Sequence, residues 1–161
     1  MKQKGFTIIE LMVCILIITI GLIGVLSLVV LNIQAQSINK NALIASQLAQ
    51  EGVELVRNAR DNNWLRNIYW KTNVVNDGTY TIDYLATINQ DVNSISESDA
   101  KLYLDEDGYY THTVTASTTV FSRLISVADK TNYLDITSAV RWKERNNYYN
   151  YVAEVYLYDW N

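Results

Sequence analysis

Proline is absent from the 161 residues of this chain, and cysteine and histidine occur once each. Without proline, collagen-like and proline-rich linker classes are excluded. A single cysteine cannot close an intrachain disulfide, which excludes a disulfide-stapled secreted scaffold. One His and one Cys cannot supply a zinc site built from several such ligands. Basic charge is also in the minority. Lys and Arg total 13 against 17 Asp and Glu, a net charge of −4, which gives no general reason to expect nucleic-acid binding.

Hydrophobic residues make up 49% of the chain, ordinary for a folded protein, but they are unevenly spread. Residues 11–31 read LMVCILIITIGLIGVLSLVVL, 21 positions without a charge. At 1.5 Å per residue such a helix reaches about 30 Å, the hydrocarbon thickness of a bilayer. A chain of this length has too little else to bury the segment on all sides. A cleaved secretory signal would need a shorter run and a small-x-small site, and Leu31-Asn32-Ile33-Gln34 is a poor match. Lys2 and Lys4 precede the run and the next cation is Lys40. The positive-inside rule therefore places the N-terminus in the cytoplasm and the rest outside. Cys14, inside the run, reads as a small packed or lipid-facing side chain. Glu10 stands at its edge, where an ionised carboxylate is costly unless it reaches water or meets a cation from another molecule.

The stretch Lys4-Gly5-Phe6-Thr7-Ile8-Ile9-Glu10-Leu11 resembles the prepilin cleavage and methylation signature of type IV pilins and type II secretion pseudopilins, over roughly the first 30 residues. The resemblance implies cleavage between Gly5 and Phe6 by a prepilin peptidase, N-methylation of Phe6, and a role for Glu10 in assembly and axial register. The cut would remove two basic residues, leaving 11 against 17 acidic ones. Residues 20–26 look like the minor-pilin branch. The implied partners are the peptidase, other pilin subunits as a homo- or hetero-polymer, an inner-membrane assembly platform, and the membrane before assembly. No cofactor or metal is implied. Two departures stand out. Many relatives carry a proline further along the apolar helix, and here Gly21 and Gly24 are the points where the helix would flex, since glycine costs up to about 1 kcal/mol relative to alanine. A C-terminal cysteine pair is also missing, so packing and sheet pairing must secure that end.

The helical pattern continues past the apolar run. Ile38, Ala42, Ala45, Ala49, Gly52, Val56 and Ala59 recur at alternating spacings of 4 and 3, a seam of small residues that lets a sheet or helix approach closely. Leu48 and Leu55 flank it, and Asn39, Lys40, Asn41, Gln47, Gln50, Glu54 and Arg57 lie opposite. This predicts one helix over residues 6–60, about 80 Å long, or two helices broken near Asn32. Asp61-Asn62-Asn63 reads as a stop and Asn76-Asp77-Gly78 as a turn. Between them, Trp64, Tyr69 and Trp70 read as caps on the head's core, with inter-subunit contact as the other reading.

Beyond Gly78 the period becomes two. Tyr80, Ile82, Tyr84, Ala86 and Ile88 alternate with Thr79, Thr81, Asp83 and Thr87, predicting one strand. Residues 89–100 read as a polar loop, 102–104 as a short strand and 105–108 as a turn. Further strands are predicted over 109–115 and 118–127. Leu134, Ile136, Val140 and Trp142 mark the inner face of another, and Tyr149, Tyr151, Ala153, Val155 and Leu157 that of the last. Short connections favour an antiparallel meander. The expected fold class is α+β. Residues 1–5 form a leader, 6–60 a long helix with a transmembrane and an amphipathic half, and 61–161 a pilin-like antiparallel β-sheet head.

Asp105, Glu106 and Asp107 are oxygen ligands that calcium could use, but Gly108 comes too early for an EF-hand loop, and a solvated turn is the simpler reading. His112 reads as a surface or half-buried residue. No nucleophile motif such as G-x-S-x-G is present, so the chain reads as a substrate of processing enzymes and not as an enzyme. Tyr148, Tyr156, Tyr158 and Trp160, with Arg141, Lys143 and Arg145, suit either ordinary packing and subunit contact or a surface for DNA or glycans. The functional expectation is an extracellular type IV pilus-like filament subunit for adhesion, motility or DNA uptake, first held in the inner membrane with its N-terminus inside. The alternatives are a pseudopilin of a type II secretion system and a single-pass anchor with an extracytoplasmic β domain that never polymerises.

Overall fold

The computed structural model describes residue 5 and residues 7–72, 77–85, 88–90, 92–115 and 117–159. Lys2, Lys4, Phe6, Asn76, Ala86, Thr87 and Trp160, all named above, lie outside the described residues. Helix α1 spans Ile8–Leu65, 58 residues, as one helix without a break at Asn32. It contributes to two compact units, one reaching Lys40 and the other starting at Asn41.

The helix ends later than expected, at Leu65 and not Arg60. The Asp61-Asn62-Asn63 run does not stop it, because Asn63 is buried and its amide donates to the carbonyls of Trp70 (3.1 Å) and Thr72 (2.5 Å). The stop is at Asn67, whose φ of 53° is left-handed. Ile68 N donates to Asn63 O and Asn67 N to Trp64 O, both at 2.9 Å. These are the paired bonds of a Schellman motif with asparagine in the place usually held by glycine.

In the second unit the strands are β1 (Gly78–Ile82), β2 (Ile88–Gln90), β3 (Lys101–Leu104), β4 (Tyr110–Thr111), β5 (Ser117–Asp129), β6 (Tyr133–Glu144) and β7 (Asn147–Tyr158). All pairings are antiparallel. The expected meander holds only for β5-β6-β7. At 13 residues, β5 is about 43 Å long, enough to take two partners on its other edge. There β3 pairs with its first half (Leu104↔Ser117, Lys101↔Ser122) and β1 with its second (Gly78↔Val127, Tyr80↔Ile125).

The single strand expected over residues 80–88 is instead a pair, β1 and β2, with Ile82 opposite Ile88. The break falls at Asp83, which is buried. Its carboxylate accepts from Leu85 N and from Thr111 Oγ1, each at 3.1 Å, and the first of these turns the chain away. Residues 89–100 are likewise not a plain polar loop. Val92 and Ala100 pack with Leu124 and Ile95 on the sheet face away from the helix. The strand expected over 109–115 shortens to β4, where Thr111 Oγ1 accepts from Thr113 N at 3.1 Å and competes with ladder pairing.

The core lies between the sheet and the part of α1 beyond Lys40. Val56 packs with Trp70, Tyr80, Ile125, Ile136 and Leu157. Ala45, Leu48 and Ala49 pack with Leu102, Phe121, Val140 and Trp142. Each large side chain so buried contributes about 1.5–3 kcal/mol. The small-residue seam sets the spacing. A Cβ on Gly52 would overlap Ser138 Oγ and sit 3.2 Å from Arg123 Cδ, so glycine permits the close approach of helix and sheet.

Candidate functional site

The N-terminal end of α1 is built by a cap. Thr7 precedes the helix, its Oγ1 accepts from Glu10 N at 3.3 Å, and its carbonyl accepts from Leu11 N at 3.2 Å. Thr-x-x-Glu is the sequence form of a capping box, a signal legible in the chain itself. Glu10 is thus the third helical residue, where the positive end of the helix dipole favours a carboxylate. No ion pair to Glu10 occurs among the described residues. Gly5 is exposed, with nothing within 4 Å of the position a Cβ would take. Phe6 lies outside the described residues.

From Glu10 to Leu31 no residue is buried or even half-buried. The segment is apolar on every side, so it has no water-facing stripe. It is long and apolar enough to cross a membrane. Its polar side chains are satisfied within the helix. Thr19 Oγ1 donates to Leu16 O (2.9 Å), Ser27 Oγ to Ile23 O (3.0 Å) and Asn32 Nδ2 to Leu28 O (3.1 Å). In lipid this matters, since no water is there to take an unmet hydroxyl. The helix continues through Gly21 and Gly24, and nothing lies within 4 Å of a Cβ at either. Cys14 is exposed.

In the head the buried charged side chain that sequence reasoning missed is Arg123. It is fully buried between α1 and the sheet. Its guanidinium donates to Leu48 O (3.1 Å) and Ile82 O (2.6 Å) and pairs with Glu51 at 3.1 Å. Burial pulls its pKa down and Glu51 opposes that fall, so the charge is held by the helix it ties to β5. The signal was available: Arg123 shares the period-two register of Phe121, Ile125 and Val127. Nearby, His112 is half-buried with Nδ1 3.2 Å from Lys101 O. Its pKa is pushed down to about 4, first by burial and then by Arg123, so the ring is neutral at pH 7.

The acidic turn is self-contained. Asp105 accepts from Tyr84 (2.6 Å) and from the backbone N–H of Asp107 and Tyr109 (3.0 and 2.8 Å). The Tyr84 bond lowers the Asp105 pKa and pushes the phenol up to about 12. No group of three or more metal-binding side chains occurs among the described residues. Of the linker aromatics, Trp70 is buried, Trp64 is half-buried against the core and Tyr69 is exposed. Tyr148, Tyr156 and Tyr158 are exposed on the outer face of β7. The ring of Tyr133 lies 5.5 and 5.4 Å from those of Tyr156 and Tyr158. Arg141 and Lys143 lie against Tyr148, 5.6 and 5.5 Å from its ring centre.

Residues 1–26 match the family described as the prokaryotic N-terminal methylation motif. The chain therefore carries the prepilin signature of type IV pilins and pseudopilins, which implies processing by a prepilin peptidase. Proteins with this signature are typically non-enzymatic structural subunits. Neither a curated protein nor a solved structure matches the chain.

Proposed function

We propose that the chain is a filament subunit of the type IV pilus class, cut between Gly5 and Phe6 and N-methylated at Phe6. The observation that carries this reading is the methylation motif over residues 1–26, joined to a helix whose apolar end is unburied and whose other end is committed to a sheet. Lipid accepts the apolar end first, and packed helices of neighbouring subunits accept it after assembly. In that low-dielectric core the Glu10 carboxylate would be costly alone. The new amine of Phe6 on a neighbour supplies the cation, and satisfying both charges admits one axial stagger. On this reading Glu10→Ala spares insertion and cleavage but reduces incorporation into filaments.

A pseudopilin uses the same chemistry in a periplasmic piston. Tyr156 and Tyr158 of β7, exposed and packed with Tyr133, favour the surface filament as an aromatic patch available to an outside partner. Sequencing the N-terminus of the native protein tests the processing step. N-methyl-phenylalanine is the expected first residue, and an intact Met1 would leave the chain a plain membrane anchor. Recovery of the protein in filaments sheared from the cell surface then separates a pilus from a piston.

A further inference from the structure

The basic side chains of the second unit are unevenly employed. Arg57, Arg60, Lys71 and Arg123 are ion-paired with Glu54, Asp61, Asp129 and Glu51. Arg66, Lys101, Lys130, Arg141, Lys143 and Arg145 have no ion-pair partner among the described residues, and three of these six, Lys101, Arg141 and Lys143, line one groove of about 280 Å³. It lies on the sheet face away from α1, and Glu97 is the one carboxylate in its lining. In a chain of net charge −4, this is a local reversal of sign. Three like charges held together repel one another, so the arrangement points to an anion that would neutralise them.

The groove is also ordered. Arg141 donates through Nε to Asn150 Oδ1 (3.1 Å) and through Nη1 to Ser96 Oγ (2.7 Å), which fixes the guanidinium plane across the strands. Arg141 and Lys143 are two residues apart on β6, about 6.6 Å along the strand, comparable to the separation of neighbouring charges on an extended phosphodiester chain. Tyr148, 63% exposed, stands beside both cations and offers a ring to an unstacked base. Cations that track a backbone beside an aromatic ring form the general arrangement that binds single strands without sequence preference.

We propose that this groove binds single-stranded nucleic acid, with phosphates on Lys101, Arg141 and Lys143 and a base against Tyr148. A duplex keeps its bases stacked and cannot use the ring. The proposal does not depend on polymerisation, so it stands or fails separately from the filament reading.

The test is fluorescence anisotropy of a labelled oligothymidine titrated with the full chain in non-ionic detergent. Three phosphate contacts predict a slope of log K against log salt of about −2, a roughly 20-fold weakening between 50 and 200 mM salt. Lys143→Ala should reduce that slope by about 0.7. Tyr148→Ala should weaken binding about 5- to 150-fold, while Lys40→Ala, outside the groove, leaves it unchanged. Because Tyr148 and Lys143 are exposed, an unchanged unfolding midpoint in each variant confirms that the fold is retained. No binding at 50 mM salt, or binding indifferent to both substitutions, overturns the proposal. Equal competition by polygalacturonate at matched charge overturns the nucleic-acid assignment in favour of a general polyanion surface.

Discussion

Gly52 is the position at which helix and sheet come closest, and replacing it gives a change of sign that depends on one hydroxyl. Alanine gains about 1 kcal/mol over glycine in a helix interior. Against that, its Cβ would overlap Ser138 Oγ, and overpacking of this kind costs about 1–3 kcal/mol. Gly52→Ala alone should therefore destabilise by about 1 kcal/mol. Ser138 Oγ is buried without a hydrogen-bond partner among the described residues, so Ser138→Ala should itself be close to neutral. In that background the remaining neighbours of the new methyl are Arg123 Cδ at 3.2 Å and Ile125 Cδ1 at 3.3 Å, both on side chains able to yield slightly. Gly52→Ala should then stabilise by up to about 1 kcal/mol, a coupling of about 1–2 kcal/mol between the two sites. The assay is urea unfolding of the full chain in non-ionic detergent, followed by the fluorescence of buried Trp70 and Trp142. An equal loss in both backgrounds, or a gain from Gly52→Ala alone, refutes the close-approach argument.

Three further outcomes follow from the head. Arg123→Met removes the donor to Leu48 O and Ile82 O and should cost about 2–4 kcal/mol; Glu51→Gln should cost under about 1 kcal/mol, since the Glu51 side chain is 38% exposed and screened, and equal costs in the same unfolding assay would contradict this assignment. Asn67→Gly should be neutral or slightly stabilising, whereas Asn67→Val forces a β-branched residue to φ of 53° and should lower stability by about 1–3 kcal/mol. His112 has a folded pKa of about 4 against an ordinary 6.5, so the unfolded chain binds the extra proton between those values. The stability from its neutral ring is full above about pH 6.5 and is lost as pH falls towards 4, up to about 3 kcal/mol. His112→Asn should flatten that part of the pH dependence, and an unchanged profile would show that another group carries it.

Much of this was legible in the chain. The apolar run and the prepilin signature are local patterns, and so is the seam from Ala45 to Val56, because a helix face repeats every three to four residues. The inner face of β6 was also readable, since period-two alternation runs from Tyr133 to Trp142; in β7 it holds from Ala153 to Tyr158 but fails at Tyr151, expected inside and found exposed. The misreadings have a common cause. Asp83, Asn63 and Arg123 are polar residues whose partners are distant or backbone, and composition treats them as surface or stop signals. Asp83 is tied to Thr111 across 28 positions and Arg123 to Leu48 across 75. The two-strand occupancy of the β5 edge is likewise a property of tertiary pairing, which no local period encodes. At the functional end, Glu10 was singled out from its cost in lipid, whereas the Thr7 cap on its backbone N–H needed only the Thr-x-x-Glu spacing.

The most direct measurement of the central claim is a cryo-EM map of native filaments at side-chain resolution. The account predicts the Glu10 carboxylate about 3 Å from the methylated amine of Phe6 on an adjacent subunit, enclosed by apolar helices. A carboxylate open to solvent and distant from every such amine would contradict it.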